Sequence, residues 1–183
     1  MNYATIKNCD IANGPGVRVS LFVSGCTHHC KGCFNEVAWD FDYGQPFTQE
    51  TVDSILAMLK PAYVKGITLL GGEPFEPQNQ PALVDMLRQI KANYPDKSIW
   101  AFSGYLFDKD IQPGKLGDPA VTKEFLSYLD VLVDGRFVEE KKDLTLRFRG
   151  SSNQRIIDVP ASLAAGEIVL WQDWQGNARG LKG

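Results

Sequence analysis

The chain has 183 residues, of which 44% are hydrophobic and 22% charged, with a formal charge of −3 at pH 7. That suits one domain with a buried core, and the slight acidity excludes a nucleic-acid footprint or an electrostatic hold on an anionic membrane. No apolar run approaches the ~20 residues of a membrane span, and MNYATIKNCD has neither the basic start nor the apolar stretch of a secretory signal, so the expected location is the cytoplasm.

In chain order, residues 3–7 read as a short strand, followed by the turn chemistry of Asn13-Gly14-Pro15-Gly16. Val17, Val19, Leu21 and Val23 alternate with Arg18, Ser20 and Phe22, the period of a strand that ends at Ser24-Gly25. Thr48 is placed to cap a helix running to about Lys60, with Val52, Ile55, Leu56 and Leu59 on its apolar stripe. GITLL (66–70) reads as a buried strand that stops in Gly71-Gly72-Glu73-Pro74. A helix over 80–93 turns Leu83, Met86, Leu87 and Ile90 inward, and Pro81 suits its first turn. SIWAF (98–102), a helix over 119–128 and DVLVD (130–134) follow. EEKKD (139–143) reads as a solvated loop and LRFRGSSNQRIIDV as a loop entering a short strand. EIVLW (167–171) reads as a last strand, and GNARGLKG as a frayed tail.

This alternation predicts an α/β fold with a mostly parallel sheet, crossover helices and an N-terminal hairpin. The βα units are too few for an eight-fold barrel, and a partial, open β/α barrel fits the length. The unusual loops fall at the C-terminal ends of strands: 25–35, 71–74, 103–105 and 134–136. In parallel α/β folds, ligands bind along that edge. The expected organisation is a barrel domain over 1–158 and a C-terminal extension over 159–183, either an edge strand or a docking element.

SGCTHHCKGCFN (24–35) carries the chemistry. Of the cysteines Cys9, Cys26, Cys30 and Cys33, the last three form a C-x3-C-x2-C array. Crowded thiols in a reducing compartment more often hold a metal than a disulfide. Structural zinc wants four ligands, and His28 or His29 would be cramped inside a three-residue gap. A 4Fe–4S cluster held by three thiolates would instead leave one iron open for an exogenous ligand, since complete clusters take four cysteines. Gly71-Gly72-Glu73-Pro74, one βα unit later, is placed to hold such a ligand: the glycines admit close approach, and Glu73 adds an acceptor. Cys9 is expected to be a small buried residue. His28 and His29 are expected to be loop filler or partner contacts, and Trp39, Trp100, Trp171 and Trp174 core or interface residues.

The triplet followed by GGEP resembles the radical S-adenosylmethionine (SAM) superfamily. DIANGPGVR (10–18), LFVSGC with CFN (21–35), GGEPFEPQN (71–79), SGY (103–105), VLVDGRF (131–137) and RGSSNQR (149–155) together resemble the activating proteins of anaerobic ribonucleoside-triphosphate reductase. The resemblance implies cluster ligation by Cys26, Cys30 and Cys33, with SAM on the open iron. It implies that Gly32, Cys33 and Phe34 line the adenine and that Gly71, Gly72, Glu73 and Pro74 hold the methionine amino group. Ser103, Asp134 and Arg136 would contact ribose or carboxylate. Many superfamily members carry an aromatic residue where this chain has Gly32; here the aromatic is Phe34, one place after the third cysteine. The implied activity is reductive SAM cleavage to a 5′-deoxyadenosyl radical that takes a hydrogen from a glycine of the reductase. The implied partners are that reductase and a one-electron donor such as a flavodoxin, in a homodimer or a heterotetramer with the reductase. Two rivals stay open at this point. One is another small radical SAM enzyme, either an activase of a different glycyl-radical enzyme or a deazaguanine synthase. The other is a non-enzymatic zinc or iron–sulfur module.

Overall fold

The structure, a computed structural model, describes residues 1–172. Strands β1 (Asn2–Asp10) and β2 (Val17–Val23) form the expected hairpin, with the short β3 (Gln45–Pro46) on its outer edge. Then α1 (Gln49–Leu59), β4 (Val64–Gly71), α2 (Gln80–Asn93), β5 (Ser98–Ser103), α3 (Pro119–Tyr128) and β6 (Val131–Asp134) alternate, and β7 (Arg155–Asp158) runs into α4 (Val159–Ala165). The seven strands make one sheet in the order β3-β1-β2-β4-β5-β6-β7. The central β2, β4, β5 and β6 are parallel, and both flanks are antiparallel. Among the described residues no helix is long and apolar enough to cross a membrane.

Period-two alternation gives the sheet two different faces. Val19, Leu21, Ile67, Leu69, Ile99, Ala101 and Leu132 point to the face covered by helices, where Ile55, Leu59, Leu83, Leu87 and Phe125 complete the main core. The opposite face carries Trp100, Val131, Val133 and Ile156, against which Phe148 and Trp171 pack. Helix ends follow local chemistry. Thr48 and Thr51 form a capping box on α1, and Asp118 accepts from the Ala120 N–H ahead of α3.

Arg18 explains the DIANGPGVR block. It is fully buried on the face opposite the helices, donating to Thr68 Oγ1 (2.8 Å), Ser98 Oγ (2.9 Å) and the carbonyl oxygens of Ile67 and Ser98. Burial pulls its pKa down to about 10, against the charges of Asp130 and Asp10. Gly14 is required here: a Cβ would lie 2.8 Å from Arg18 Cδ, and the backbone φ is +141°. The hairpin turn is thereby tied to the middle of the sheet.

Two expectations are corrected. Cys9 is exposed, with φ +59°, where the β1–β2 register slips between Lys7 and Asp10; the irregular pairing turns it out of the core. The strand expected over 167–171 reduces to one bridge, Leu170 to Ile157, after the intervening α4. The segment after residue 158 packs on the domain as far as the described residues go, with the Asp158 N–H on Val169 O and the Trp171 N–H on Ile156 O. Trp174 and the GNARGLKG tail lie outside the described residues.

Candidate functional site

β2 delivers the chain to Gly25 (φ +93°), where a Cβ would lie 2.2 Å from the Phe41 ring. The loop closes on itself through the Gly25 N–H to Ala38 O (2.8 Å) and the Cys26 N–H to Trp39 O (3.2 Å). Cys26, Cys30 and Cys33 all line one cavity of about 420 Å³ at the C-terminal edge of the parallel strands. Burial pushes the Cys26 thiol up to about 12; the backbone N–H groups of His28 and His29 pull the other way. Burial also raises Cys30, opposed by the Phe137 N–H and the charge of Arg136. Thiols kept neutral by burial become thiolates when a bound cation supplies positive charge, so this donor set fits a metal centre. Among the described residues no three His, Cys, Asp or Glu side chains converge as ligands of a single metal ion.

Gly71, Gly72 and Glu73 of the GGEP turn line the same cavity. Gly72 donates to Val23 O (2.7 Å) and Glu73 to Gly25 O (2.8 Å), so the turn rides directly on the start of the cysteine loop. A Cβ on Gly72 would sit 2.6 Å from Gly25 O and 3.0 Å from the carbonyls of Ala38 and Val23, all backbone atoms that cannot give. Gly72→Ala therefore loses about 1–3 kcal/mol by overpacking, which thermal or urea unfolding measures.

The remainder of GGEPFEPQN is scaffold. Buried Glu76 accepts from the Thr27 N–H (2.8 Å) and Thr27 Oγ1 (2.6 Å), and the Asn79 amide donates to Ser24 O and Glu73 O, both at 3.0 Å. One nine-residue motif thus braces the loop that carries all three thiols.

A family model for a 4Fe–4S single cluster domain matches residues 12–157. The anaerobic ribonucleoside-triphosphate reductase-activating protein of Vibrio cholerae is 43% identical over 158 residues, covering 85% of this chain and 97% of its own. The protein of the same name from enterobacteria phage T4 is 42% identical over 156 residues, covering 85% and 93%. That from Escherichia coli K12 is 43% identical over 156 residues, covering 84% and 96%. This chain belongs to the anaerobic ribonucleoside-triphosphate reductase-activating protein family.

For this member of the activating-protein family, Gly32, Cys33, Phe34, Gly71, Gly72, Glu73 and Ser103 share the cavity lining. Gly32 has φ +71°, and Glu139, whose carboxylate meets Lys31 at 3.2 Å, lies beside it. The left-handed backbone is a physical reason for glycine at this position. Phe34 is 82% exposed, so its ring stands at the rim. Pro74 is buried beside the turn, outside the lining.

Asp134 and Arg136 stand outside the cavity lining. Asp134 is fully buried and outside the lining; its carboxylate accepts from Arg155 Nε and Nη2 and from the Phe107 N–H. Arg136 is exposed and outside the lining, with its carbonyl accepting from Asn153 Nδ2. The VDGRF and RGSSNQR blocks zip together: Gln154 Nε2 donates to Gly135 O (2.9 Å), and the Val138 N–H to Ser151 Oγ (3.2 Å). The zip forms a wall that sets Phe137 and Phe148 against the cavity, with Phe148 at φ +57°.

The sequence reading missed His28. It is buried, and its Nε2 lies 2.9 Å from Glu73 Oε2, whereas His29 is exposed and stacks on Trp39 at 4.5 Å. Trp39 itself lines the cavity, Trp100 is core, and Trp171 packs on it at 5.0 Å.

Proposed function

We propose that this chain is a radical SAM activase that installs a glycyl radical on an anaerobic ribonucleoside-triphosphate reductase. The observation that carries the reading is the cavity itself, lined by all three thiols together with Gly71, Gly72 and Glu73 of the GGEP turn. Cys26, Cys30 and Cys33 hold the 4Fe–4S cluster, and their failure to converge on one point suits separate irons better than a single zinc. When bound, the reduced cluster supplies the electron that splits SAM into methionine and a 5′-deoxyadenosyl radical, which takes a Cα hydrogen from the reductase glycine.

The protein positions these groups and excludes water. Gly71 and Gly72 line the cavity where the methionine end would lie, and their missing side chains let the turn pack on the backbone of β2 and the cysteine loop. Glu73 holds that turn to β5, since its carboxylate already accepts four protein donors. Gly32, Cys33 and Phe34 flank the adenine, and Ser103 borders the ribose. Asp134 acts through Arg155 on the wall, and Arg136 bears on Cys30 by its charge. The sheet is read as an open β/α barrel: parallel strands are added in chain order, with the helices on one face and the cavity opening on the other. An open barrel admits a backbone loop of a large partner. The electron comes from an external one-electron donor such as a flavodoxin.

The test is anaerobic reconstitution with iron and sulfide, dithionite reduction and a SAM-cleavage assay. Methionine and 5′-deoxyadenosine should form in equal amounts. One bound zinc per chain with no cleavage would contradict the proposal.

A further inference from the structure

Three strand-end loops meet on one carboxylate. Glu73, 1% exposed, belongs to the β4 turn; Ser103 and Gly104 come from the end of β5; His28 comes from the cysteine loop, between the first two thiols. The carboxylate accepts from the Phe75 N–H (2.9 Å), Ser103 Oγ (2.9 Å) and the Gly104 N–H (2.7 Å). With these donors on it the carboxylate acts as an acceptor, so His28 Nε2, at 2.9 Å, carries its hydrogen toward it. Nδ1 is then buried with no partner among the described residues. An apolar side chain of similar size would avoid that penalty, so packing alone does not account for histidine here.

The surroundings are shaped to this ring. A Cβ on Gly104 would lie 2.4 Å from His28 Cδ2, and Tyr105 packs edge-on with ring centroids 4.3 Å apart. The neighbouring residue repeats the pattern, since Thr27 bonds Glu76 as His28 bonds Glu73. Adjacent residues of the cysteine loop thus grip the two glutamates of GGEPFE.

The geometry assigns His28 as a positioning residue that locks the cysteine loop to Glu73, so that Cys26 and the ligand turn are held in one frame. What the frame holds rests on the proposed function; the lock itself belongs to the protein without its cofactors. In the metal-free protein, per-residue alkylation followed by mass spectrometry reads how often the loop opens. His28→Leu should speed alkylation of Cys26 by about tenfold, the size of one lost charged hydrogen bond. Cys9, exposed on the β1 bulge, serves as the internal control and should not change. His28→Gln, whose amide reaches Glu73 with an N–H, should restore the wild-type rate. His28→Asn, too short to reach, should not, and this pair decides the matter if His28→Leu fails to fold. In reconstituted protein, the change that SAM makes in the cluster's electron paramagnetic resonance signal should persist in His28→Gln and be lost in His28→Asn. Equal Cys26 rates in all variants, or no rescue by glutamine, would overturn the assignment. Wild-type protein that never cleaves SAM would overturn the function and leave the alkylation result standing.

Discussion

Cys26→Ser, Cys30→Ser and Cys33→Ser should each abolish SAM cleavage, to the background of enzyme-free cluster, while Cys9→Ser retains wild-type activity. The asymmetry follows from placement. The three thiols line one cavity, whereas Cys9 is an exposed residue on the β1 bulge, beside Asn8 and Tyr63. A serine hydroxyl is a poor substitute for a thiolate, the ligand that iron–sulfur clusters take. Iron content and SAM cleavage on anaerobically reconstituted variants measure the effect. A Cys9→Ser protein as inactive as the other three would mean that the cluster has four protein ligands and no open iron.

Arg155→Met should cost the fold a large part of its stability. Asp134 is fully buried, and Arg155 reaches it through both Nε and Nη2 while also meeting Asp108 at 2.8 Å. Hydrogen bonding to Asp134 is the chief reason that the Arg155 pKa is raised, and the bond from Arg155 chiefly lowers Asp108. Without the guanidinium, the buried carboxylate keeps the Phe107 N–H but no counter-charge. Breaking such a pair costs about 3–5 kcal/mol, and the lower end applies because 29% of the Arg155 side chain stays exposed. At about 2–4 °C per kcal/mol for a chain of this size, Tm should fall by roughly 6–12 °C. Asp134→Asn keeps an acceptor for Phe107 and should lose less. A Tm within about 2 °C of wild type for Arg155→Met would contradict this account of the pair. The effect extends to the site, because β6 and its following loop carry the Phe137 N–H to Cys30.

The elements that pattern alone could place were placed well. Helices α2 and α3 begin and end where periodicity, Pro81 and Pro119 put them, and β2 is the strand its valines announce, although it is buried on both faces. Helix α4 carried a readable signal in Asp158, Pro160 and Gly166: a cap, a first-turn proline and a left-handed stop. At seven residues it was too short for its apolar period to register. Cys9 was misplaced because cysteine's average burial says nothing about a local bulge. The cysteine triplet and GGEP were legible because their ligand chemistry is local in sequence. His28, Asp134 and Arg155 were not, because their roles depend on partners 45, 27 and 21 residues away. The VDGRF and RGSSNQR blocks stood out as motifs, but only the paired backbone shows that they are two halves of one wall.

The central claim is that the open iron, not a fourth thiolate, makes this chain an activase. The most direct measurement is electron paramagnetic resonance on the anaerobic reductase after incubation with reconstituted protein, SAM and a one-electron donor. A glycyl-radical signal that requires SAM and disappears with Cys26→Ser, Cys30→Ser or Cys33→Ser is the predicted result. SAM cleavage that proceeds while the reductase glycine remains diamagnetic would contradict it.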